Sequence, residues 1–311
     1  MRALHWLRWN DLQTEDDVEY PFAKPVGAWQ LGERGEGAYM GIQKAIPKYL
    51  FFDIDGTIVT EGYQGRIIPD SFYETLHALQ EKGHLCFINT GRAFSEVGEE
   101  IRSLGFDGYI CGCGTYILYH NEELFAKTFP YTLGNDIIET IEQAQLEWIL
   151  EGQKDVYYGD FDYVTHIGDF KKEHLSLMPE HSIILKKEER KNIPFDKFCI
   201  CIGKDSNFEL FHQKFKEDLA FIDRGNGLYE VMPIDCSKAS GIRFLEEHFG
   251  IAHEDTIAIG DSANDLAMLS YAGYSIAMGN SSKEILPVVD YVTTDILDDG
   301  IYHAMKHLHL I

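Results

Sequence analysis

The sequence is poor in basic residues and in long apolar stretches. It has 27 Lys and Arg against 51 Asp and Glu, a formal net charge of −24. A chain this acidic repels nucleic-acid backbones and anionic lipid, and no Lys/Arg cluster offsets that charge. Apolar runs such as 49–52 fall far short of the ~20 residues that span a membrane, and no signal-peptide pattern opens the chain. We expect a soluble cytoplasmic protein that binds neither nucleic acid nor membrane.

The cysteines do not indicate a disulfide scaffold or a zinc site. Four of the six form two Cys-x-Cys pairs, at 111/113 and 199/201, inside apolar runs typical of strands. Zinc sites instead favour Cys-x₂-Cys turns. We interpret these cysteines as reduced, buried thiols that pack as small apolar side chains. The 13 histidines form no convergent ligand pattern either.

The composition is that of an ordinary globular protein of about two domains, with 45% hydrophobic and 25% charged residues. Residues 1–45 differ from the rest, because they hold three of the four tryptophans and show no persistent helix or strand period. We predict that 1–45 is an N-terminal extension of undetermined order.

From residue 48 onwards, strand-like and helix-like segments alternate. The predicted strands cover 49–52, 85–88, 109–111, 256–259 and 275–278, and residues 115–126 read as a hairpin. The predicted helices between them cover 71–82, 93–104, 238–249 and 265–271. This alternation predicts a Rossmann-like, doubly wound α/β core with a mostly parallel sheet.

A segment of different character interrupts this pattern. It contains a predicted helix over 134–152, strand candidates at 156–158 and 163–166, and a strand followed by a helix over 198–219. The first pattern resumes with a predicted strand at 228–232. We therefore predict an α+β cap domain at 129–223, inserted into a catalytic core formed by 46–128 and 224–311.

Polar clusters follow several predicted strands of the core. They are Asp53-Ile54-Asp55-Gly56-Thr57, Thr90-Gly91-Arg92, Lys238 and the segment Asp261-Ser262-Ala263-Asn264-Asp265. The carboxyl ends of parallel strands meet at one edge of a sheet, so we expect these clusters to converge there.

The chemistry of the clusters indicates phosphoryl transfer. Several carboxylates in one crevice repel each other unless a hard cation lies among them, and an oxygen-only ligand set favours Mg²⁺. The Thr90 hydroxyl, the Lys238 ammonium and the backbone N–H groups of the turns suit an oxyanion such as phosphate. Of two carboxylates on one strand-end turn, one can attack phosphorus while the other handles protons. An aspartyl-phosphate intermediate follows.

Four segments, in this order, resemble the motifs of a known family. FFDIDGTIV, INTGR, the lysine of DCSKASGIRFLEEHFGI, and AIGDSANDLAML look like motifs one to four of the haloacid dehalogenase superfamily. The long gap between the second and third is similar to that of its Cof-type, C2-capped phosphatases, which carry a large cap there. The resemblance covers about 46–311 and leaves 1–45 uncovered.

The resemblance implies roles for the acidic residues. Asp53 would be the nucleophile and also a Mg²⁺ ligand. Asp55 would protonate the leaving group, deprotonate the hydrolytic water and lend its backbone carbonyl to the metal. Asp261 would ligate Mg²⁺, and Asp265 would do so directly or through water.

The remaining residues of the motifs are implied to bind substrate. Thr90, Gly91 and Lys238 would hold the transferring phosphoryl group, and Asn264 would contact phosphate or Lys238. Arg92 lies near the expected entrance, where it would contact substrate or pair with an acid. One departure from the family pattern is Cys113, which stands before Gly114 where relatives often have Asn. Another is Asn89, where the family has a small residue.

We predict a Mg²⁺-dependent hydrolase of small phosphomonoesters, either sugar phosphates or phosphorylated cofactors such as a flavin or pyridoxal phosphate. It would be a monomer or a homodimer whose partner is a small phosphorylated metabolite. One alternative is a phosphomutase or phosphotransferase on the same core, and another is a sensor that binds such a metabolite without turnover. A dehalogenase is disfavoured, because it would not need Asp55 as a proton donor.

Overall fold

The computed structural model describes residues 46–60 and 65–311, so the predicted extension at 1–45 lies outside the described residues. The helices are α1 (Asp70–Glu81), α2 (Glu99–Arg102), α3 (Tyr131–Gln143), α4 (Ile167–Leu177), α5 (Phe208–Phe215), α6 (Lys238–Phe249), α7 (Leu266–Tyr271) and α8 (Gly300–His307). The strands are β1 (Tyr49–Phe52), β2 (Leu85–Asn89), β3 (Gly108–Cys111), β4 (Tyr116–Tyr119), β5 (Glu122–Ala126), β6 (Glu147–Glu151), β7 (Val156–Gly159), β8 (Ser182–Leu185), β9 (Lys197–Cys201), β10 (Leu219–Asp223), β11 (Leu228–Pro233), β12 (Thr256–Gly260), β13 (Tyr274–Ala277) and β14 (Tyr291–Val292).

The first sheet has eight strands in the order β14-β13-β12-β1-β2-β3-β4-β5. Strands β1, β2, β3, β12, β13 and β14 pair in parallel, and the predicted hairpin β4–β5 joins them in antiparallel fashion. The chain runs outwards from β1 to β3, and β12 then returns to the opposite side of β1. This reversal of direction opens a crevice at the carboxyl ends of β1 and β12. The prediction of a doubly wound α/β core is confirmed.

Both faces of this sheet are covered by helices, because successive side chains of its central strands point to opposite faces. Leu50 and Phe52 of β1 pack with apolar residues of α1 and α8. Phe51, between them, packs on the other face with α6 and α7. All three are fully buried, and each contributes about 1.5–3 kcal/mol of hydrophobic stabilisation. The centre of the sheet is therefore a rigid support for the loop that follows β1.

The second sheet has six strands in the order β10-β11-β9-β6-β7-β8. Its pairs are antiparallel apart from β7–β8. One face packs under α3 and α5 through an apolar cluster that includes Trp148, Leu150, Phe198, Ile200 and Val231. The alternate side chains of these strands must therefore point towards the other face of the sheet. We call this sheet, with α3, α4 and α5, the cap.

Strand β11 corrects a predicted boundary. The sequence analysis assigned the strand at 228–232 to the core that resumes at 224, but β11 pairs with β10 and β9 of the second sheet. The turn before it contains Gly225, Asn226 and Gly227, all with positive φ, and it closes the hairpin β10–β11. An apolar run alone does not say which sheet it joins, so the error came from missing this turn and strand β10.

Two predicted helices are also wrong in extent. The helix predicted over 134–152 ends at Gln143, and Gln145, at φ +52°, turns the chain into β6. Pairing of β6 with both β7 and β9 outweighs the local helix propensity. The helix predicted over 93–104 is a 3₁₀ turn at Phe94–Glu96 followed by the single turn α2, and Gly98 lies between the two.

The predicted strand at 163–166 is a loop that leads into α4, a helix that was not predicted. The backbone N–H groups of Val164 and Thr165 donate to the carboxylate of Glu147, 2.5 and 3.0 Å away. These local bonds take the place of a strand ladder. Among the described residues, no helix combines the length and the apolar character needed to cross a membrane.

Candidate active site

A buried lysine links two of the predicted acidic residues at the switch point of the core sheet. Lys238 Nζ donates to Asp53 Oδ1 and to Asp265 Oδ1, each at 2.5 Å. Asp53 follows β1, and Lys238 is the first residue of α6, whose N-cap Ser237 accepts from Ser240 N–H. All three side chains are 5% exposed or less. Strand and helix termini thus bring distant parts of the sequence into direct contact.

Asp265 also shapes the loop that follows β12. Its Oδ2 accepts from the N–H groups of Asp261 and Ser262, at 2.9 and 3.1 Å. Gly260 is required next to this carboxylate, because a Cβ on Gly260 would lie 2.6 Å from Asp265 Cγ. Both oxygens of Asp265 therefore already accept hydrogen bonds, which favours the expectation of metal ligation through water over direct ligation.

Asp261 completes a group of three buried carboxylates. One oxygen from each of Asp53, Asp261 and Asp265 lies within 4.8 Å of the other two. Gly56 allows this approach, because it has φ +80° and a Cβ there would lie 2.2 Å from Asp261 Oδ2. Asn280 fixes the same turn by donating to the Gly56 carbonyl at 2.7 Å. The turn after β1 thus needs glycine both for its conformation and for its contact.

The charges in this group are unbalanced. Burial and the nearby Asp265 carboxylate raise the pKa of Asp53, although Lys238 acts in the opposite direction. Burial alone would lower the pKa of Lys238, but the two carboxylates raise it well above its ordinary value. Lys238 therefore stays charged, and one ammonium faces three carboxylates. Such a cluster has a strong affinity for a further cation.

Asp55 is oriented differently from Asp53. Arg92 donates to both of its oxygens, from Nε at 2.8 Å and from Nη2 at 2.5 Å, and Arg66 lies 3.9 Å away. Burial would raise the pKa of Asp55, but Arg92, supported by Arg66, lowers it below its ordinary value. Of the two roles expected for Arg92, the described conformation has the pairing with an acid. Asp55 is ionised here and clamped by a bidentate partner.

The loop after β2 lies beside these groups. Thr90 is buried, and its Oγ1 accepts from Arg92 N–H at 3.1 Å. A Cβ on Gly91 would lie 3.6 Å from Asn264 Nδ2, so the expected phosphate-binding residues Gly91 and Asn264 are neighbours. Asn89 donates from Nδ2 to the Lys238 carbonyl at 2.9 Å. This bond ties the end of β2 to the start of α6 and accounts for the asparagine at that position.

The cap covers this edge and encloses a cavity of about 900 Å³. The lining of the cavity on the cap side includes four charged residues that we call the cap charge row: Glu151 on β6, Lys197 on β9, Glu230 on β11 and Arg224 in the turn between β10 and β11. Lys197 Nζ lies 2.5 Å from Glu151 Oε2 and donates to the Gly91 carbonyl of the core at 2.8 Å. The cap therefore contacts the loop that carries Thr90 and Gly91.

Comparison with known proteins agrees with this geometry. A family model described as haloacid dehalogenase-like hydrolase matches residues 50–305. The chain belongs to the haloacid dehalogenase-like hydrolase family. YkrA of Bacillus subtilis (strain 168) is 30% identical over 268 residues, which cover 85% of this chain and 98% of YkrA. The HMP-PP phosphatase of Cronobacter sakazakii (strain ATCC BAA-894) is 23% identical over 283 residues, 83% of this chain and 96% of that protein.

Two solved structures share the fold. The subclass IIB sugar phosphatase BT4131 matches with a TM-score of 0.71 and 28% identity, over 85% of this chain and all of that one. TM0651 from Thermotoga maritima matches with a TM-score of 0.69 and 20% identity, over 84% of this chain and 97% of its own. The predictions of a Cof-type member of this family and of a phosphoric monoester hydrolase are confirmed.

Every predicted site residue of this haloacid dehalogenase-like hydrolase lies at the same sheet edge. Lys238 contacts both Asp53 and Asp265, and one oxygen of Asp261 lies within 4.8 Å of an oxygen of each of these acids. The side chains that line the cavity include Asp55, Thr90, Arg92 and Asn264. Asp55 was expected to act as a proton donor, whereas in the structure its carboxylate accepts hydrogen bonds from Arg92.

The cap charge row was not among the residues predicted from the sequence. Its signal is a charged residue inside an apolar strand, as in EWILE, KFCIC and LYEVMP. On β9, Lys197 and Cys199 share one face while Phe198 and Ile200 share the other. Glu151 pairs directly with Lys197, and Glu230 with Cys199. Reading the strands for alternation of charge would have found these charged positions on the face opposite the apolar cluster under α3 and α5.

Cys113, the departure in the loop that leads to the cap, contacts this row. Its φ is +55°, its side chain is 1% exposed, and its Sγ donates to Glu230 Oε2 at 3.6 Å. Burial and the Glu230 charge raise the pKa of the Cys113 thiol to about 12, so it stays protonated and acts as a donor. Cys113 therefore joins the core loop to the cap strand β11.

Proposed function

We propose that this haloacid dehalogenase-like hydrolase is a Mg²⁺-dependent phosphatase of small phosphorylated metabolites that works through an aspartyl-phosphate. The observation that carries the proposal is the contact of Asp53 with Lys238 inside a group of three buried carboxylates. It joins a nucleophile, a fixed cation and a cation-binding site at one point. The proposal concerns residues 46–311, with 129–233 as the cap, and assigns no role to 1–45.

The residues present fit a magnesium ion. The donor set is carboxylate oxygen throughout, with oxygens from three residues within 4.8 Å, as a hard cation requires. A side chain at position 56 would fill the space beside Asp261, so the turn leaves room there. Asp53 and Asp261 would hold the ion, with Asp265 through water and the backbone carbonyl of Asp55. When bound, Mg²⁺ supplies positive charge that neutralises the carboxylates and the phosphoryl oxygens.

The chain's own residues divide the remaining work. Lys238 orients the Asp53 carboxylate and stabilises negative charge that develops on the phosphoryl oxygens. Thr90 and the backbone N–H group of Gly91 bind the same oxygens. An Asp53 oxygen attacks phosphorus, the bond from phosphorus to the leaving oxygen breaks, and water then hydrolyses the aspartyl-phosphate.

Asp55 requires a change of partner before it can act. A general acid must carry a proton and reach the leaving oxygen, whereas Asp55 is ionised and held by Arg92. We infer that substrate entry releases this carboxylate from Arg92 and allows it to take up the proton that it donates. Arg92 then remains near the entrance as a cation for the substrate.

The relatives support a small phosphorylated metabolite as the substrate class. Their names include an HMP-PP phosphatase and a 5-amino-6-(5-phospho-D-ribitylamino)uracil phosphatase, the latter 24% identical over 264 residues. A sugar phosphate or a phosphorylated cofactor fits a cavity of about 900 Å³. No observation favours a phosphomutase or a sensor over hydrolysis.

The test is release of inorganic phosphate from a panel of phosphorylated metabolites and from p-nitrophenyl phosphate, with Mg²⁺ and with EDTA. We expect release that depends on Mg²⁺ and needs no bisphosphate activator. Asp53→Asn removes the nucleophile but keeps the shape and should lower the rate at least ~10³-fold. Asp205→Asn, at an exposed position of the cap, is the matched control. Wild-type release that EDTA does not affect, or full activity of Asp53→Asn, would contradict the proposal.

A further inference from the structure

A carboxylate of the cap charge row lies unusually close to the loop expected to bind phosphate. Glu230 is on β11 and its side chain is 13% exposed. A Cβ on Gly91 would lie 3.3 Å from Glu230 Oε2. The phosphoryl group that the proposed site binds at this loop is negatively charged, as is the Glu230 carboxylate. The position of Glu230 therefore needs an explanation.

The partners of Glu230 hold it ionised and leave it able to accept more hydrogen bonds. Burial would raise the pKa of Glu230, but Lys197, Arg224 and Lys238 together lower it below its ordinary value. Its partners in the structure are the Cys113 thiol at 3.6 Å and Arg224 Nε at 3.7 Å. A thiol is a weak donor and the arginine is beyond hydrogen-bond distance. A carboxylate has about four acceptor positions, so strong donors are still lacking.

The nearest lysine of the cap charge row supplies Glu230 with no strong hydrogen bond. Lys197 is already engaged by Glu151 and by the Gly91 carbonyl, so it adds little donor capacity for Glu230. Glu96, whose carboxylate also lines the cavity, lies on the core side. A ligand group that contacts Glu230 therefore matches it best when it brings a hydrogen-bond donor of its own.

The lining of the cavity argues against a flat aromatic leaving group. Among the described residues that line it, Phe170 is the aromatic carbocyclic side chain, His174 and His181 add two imidazole rings, and the apolar remainder is aliphatic, such as Ile149 and Leu228. Contact between two aromatic rings contributes about 0.5–1.5 kcal/mol beyond the burial of apolar area, and a lining with one phenyl ring offers little of that contribution. A hydroxyl group satisfies the site better, because it donates to a carboxylate and accepts from an arginine.

We propose that Glu230 is a specificity-determining residue that accepts a hydrogen bond from a hydroxyl of the leaving group, so that the substrate class is an aliphatic polyol phosphate. This inference rests on the proposed function and narrows it, because it selects sugar or alditol phosphates over aromatic cofactor phosphates. Arg224, beside Glu230, serves the neighbouring hydroxyl oxygen.

The experiment crosses two substrates with two variants. Glycerol 3-phosphate and n-propyl phosphate have the same carbon chain and differ in hydroxyl groups. In the wild type we expect kcat/KM for glycerol 3-phosphate to exceed that for n-propyl phosphate by about 10- to 100-fold. With n-propyl phosphate bound, the Glu230 carboxylate would have no substrate hydroxyl to accept from. Glu230→Met should lower this ratio by about 10-fold or more, and Glu230→Gln, which keeps a neutral acceptor, should give an intermediate ratio.

The ratio of the two substrates separates selection from a structural role. Glu217→Gln, at an exposed position of the cap, should leave the ratio as in the wild type. An unchanged ratio in both Glu230 variants, or an equal loss on both substrates, overturns the inference. The inference is also overturned if the wild type shows equal kcat/KM for glycerol 3-phosphate and n-propyl phosphate. If that wild type still hydrolyses p-nitrophenyl phosphate, the proposed phosphatase function stands. A wild type that hydrolyses none of the three substrates overturns the proposed function and the inference together.

Discussion

The core edge and the cap face each bury a lysine against carboxylates, but their charge balance differs. In the core, Lys238 contacts Asp53 and Asp265, and Asp261 lies within 4.8 Å of both acids. In the cap, Lys197 and Arg224 oppose Glu151 and Glu230. The buried cluster around Lys238 thus has three acids for one base, and the cap charge row has two of each.

This difference indicates what each region binds. An excess of buried negative charge is stable only with a further cation, and this requirement suits the proposed magnesium site. A nearly balanced row of acids and bases needs no ion, but it offers many hydrogen-bonding positions to a neutral, polar ligand. One region is therefore suited to the phosphoryl group and the other to the group from which phosphate is removed.

The largest effect is expected when the core lysine is removed. Lys238→Met would leave Asp53 without its positioning cation and the phosphoryl oxygens without a fixed positive charge, so kcat/KM should fall about 10³-fold or more. Lys238→Arg should lower kcat/KM nearly as much, because a side chain that is 0% exposed leaves no space for the larger guanidinium group. Phosphate release measures both. A loss below about 10-fold would mean that the core charge has no role in the chemistry.

The cap lysine should affect stability more than chemistry. Lys197→Met leaves Glu151 buried without its partner, and we expect the free energy of unfolding to fall by about 3–5 kcal/mol. The double variant Lys197→Met/Glu151→Leu replaces the ion pair by apolar groups and should recover most of that loss. Because the bond to the Gly91 carbonyl is still missing, its kcat/KM should stay about 10-fold low.

Urea denaturation and phosphate release separate the two quantities. A double variant no more stable than Lys197→Met would show that the pair is not coupled as its 2.5 Å distance implies. A double variant with full activity would show that the contact with the Gly91 carbonyl does not matter.

The core was predictable from sequence because its residues act locally. Asp53 and Asp55 follow a buried strand, Asp261 and Asp265 surround a helix start, and each pattern is complete within a few residues. Parallel pairing of strands then brings the patterns together without further information. The same rule predicts that Lys238 lies near Asp53 and Asp265, although it does not predict the distances between them.

The cap was less predictable because its function is distributed over a sheet. Glu151, Lys197 and Glu230 come from three strands whose neighbours are set by pairing, and pairing is not encoded within one segment. A helix was predicted across Glu151, and Glu230 was assigned to the core. The pairing of Asp55 with Arg92 was also beyond the sequence, which left substrate contact and an acid partner open for Arg92.

Glycine at position 56 tests how closely the core loops must approach. Gly56→Ala introduces a Cβ 2.2 Å from Asp261 Oδ2, which must displace that carboxylate. We expect the Mg²⁺ concentration for half-maximal activity to rise about 10-fold. Gly83→Ala is the matched control, since Gly83 has φ +84° with nothing within 4 Å of its Cβ position.

Both glycine variants carry the cost of an L-residue at positive φ, about 1–2 kcal/mol of stability. The control should therefore lose stability while its Mg²⁺ dependence stays that of the wild type. An equal shift of Mg²⁺ dependence in both variants would refute the argument from the close approach.

The smallest effect concerns the junction of cap and core. His174 of α4 is 12% exposed and lies 3.6 Å from Glu96, and the Tyr158 hydroxyl bonds to its Nδ1. Burial, with Arg92 and Arg66, lowers the pKa of His174 to about 4, against a partial opposing effect of Glu151. The unfolded chain therefore binds this proton more tightly, and stability is complete above pH 6.5, the ordinary value. It declines as pH falls from there towards 4.

At pH 5 the loss from His174 should be about 2 kcal/mol. His174→Gln should remove that part of the difference in unfolding free energy between pH 7.5 and pH 5, as measured by urea denaturation at both values. His77→Gln, at a side chain that is 73% exposed, should keep the wild-type difference. If the His174 and His77 variants respond alike to pH, the imidazole is not held neutral at this junction.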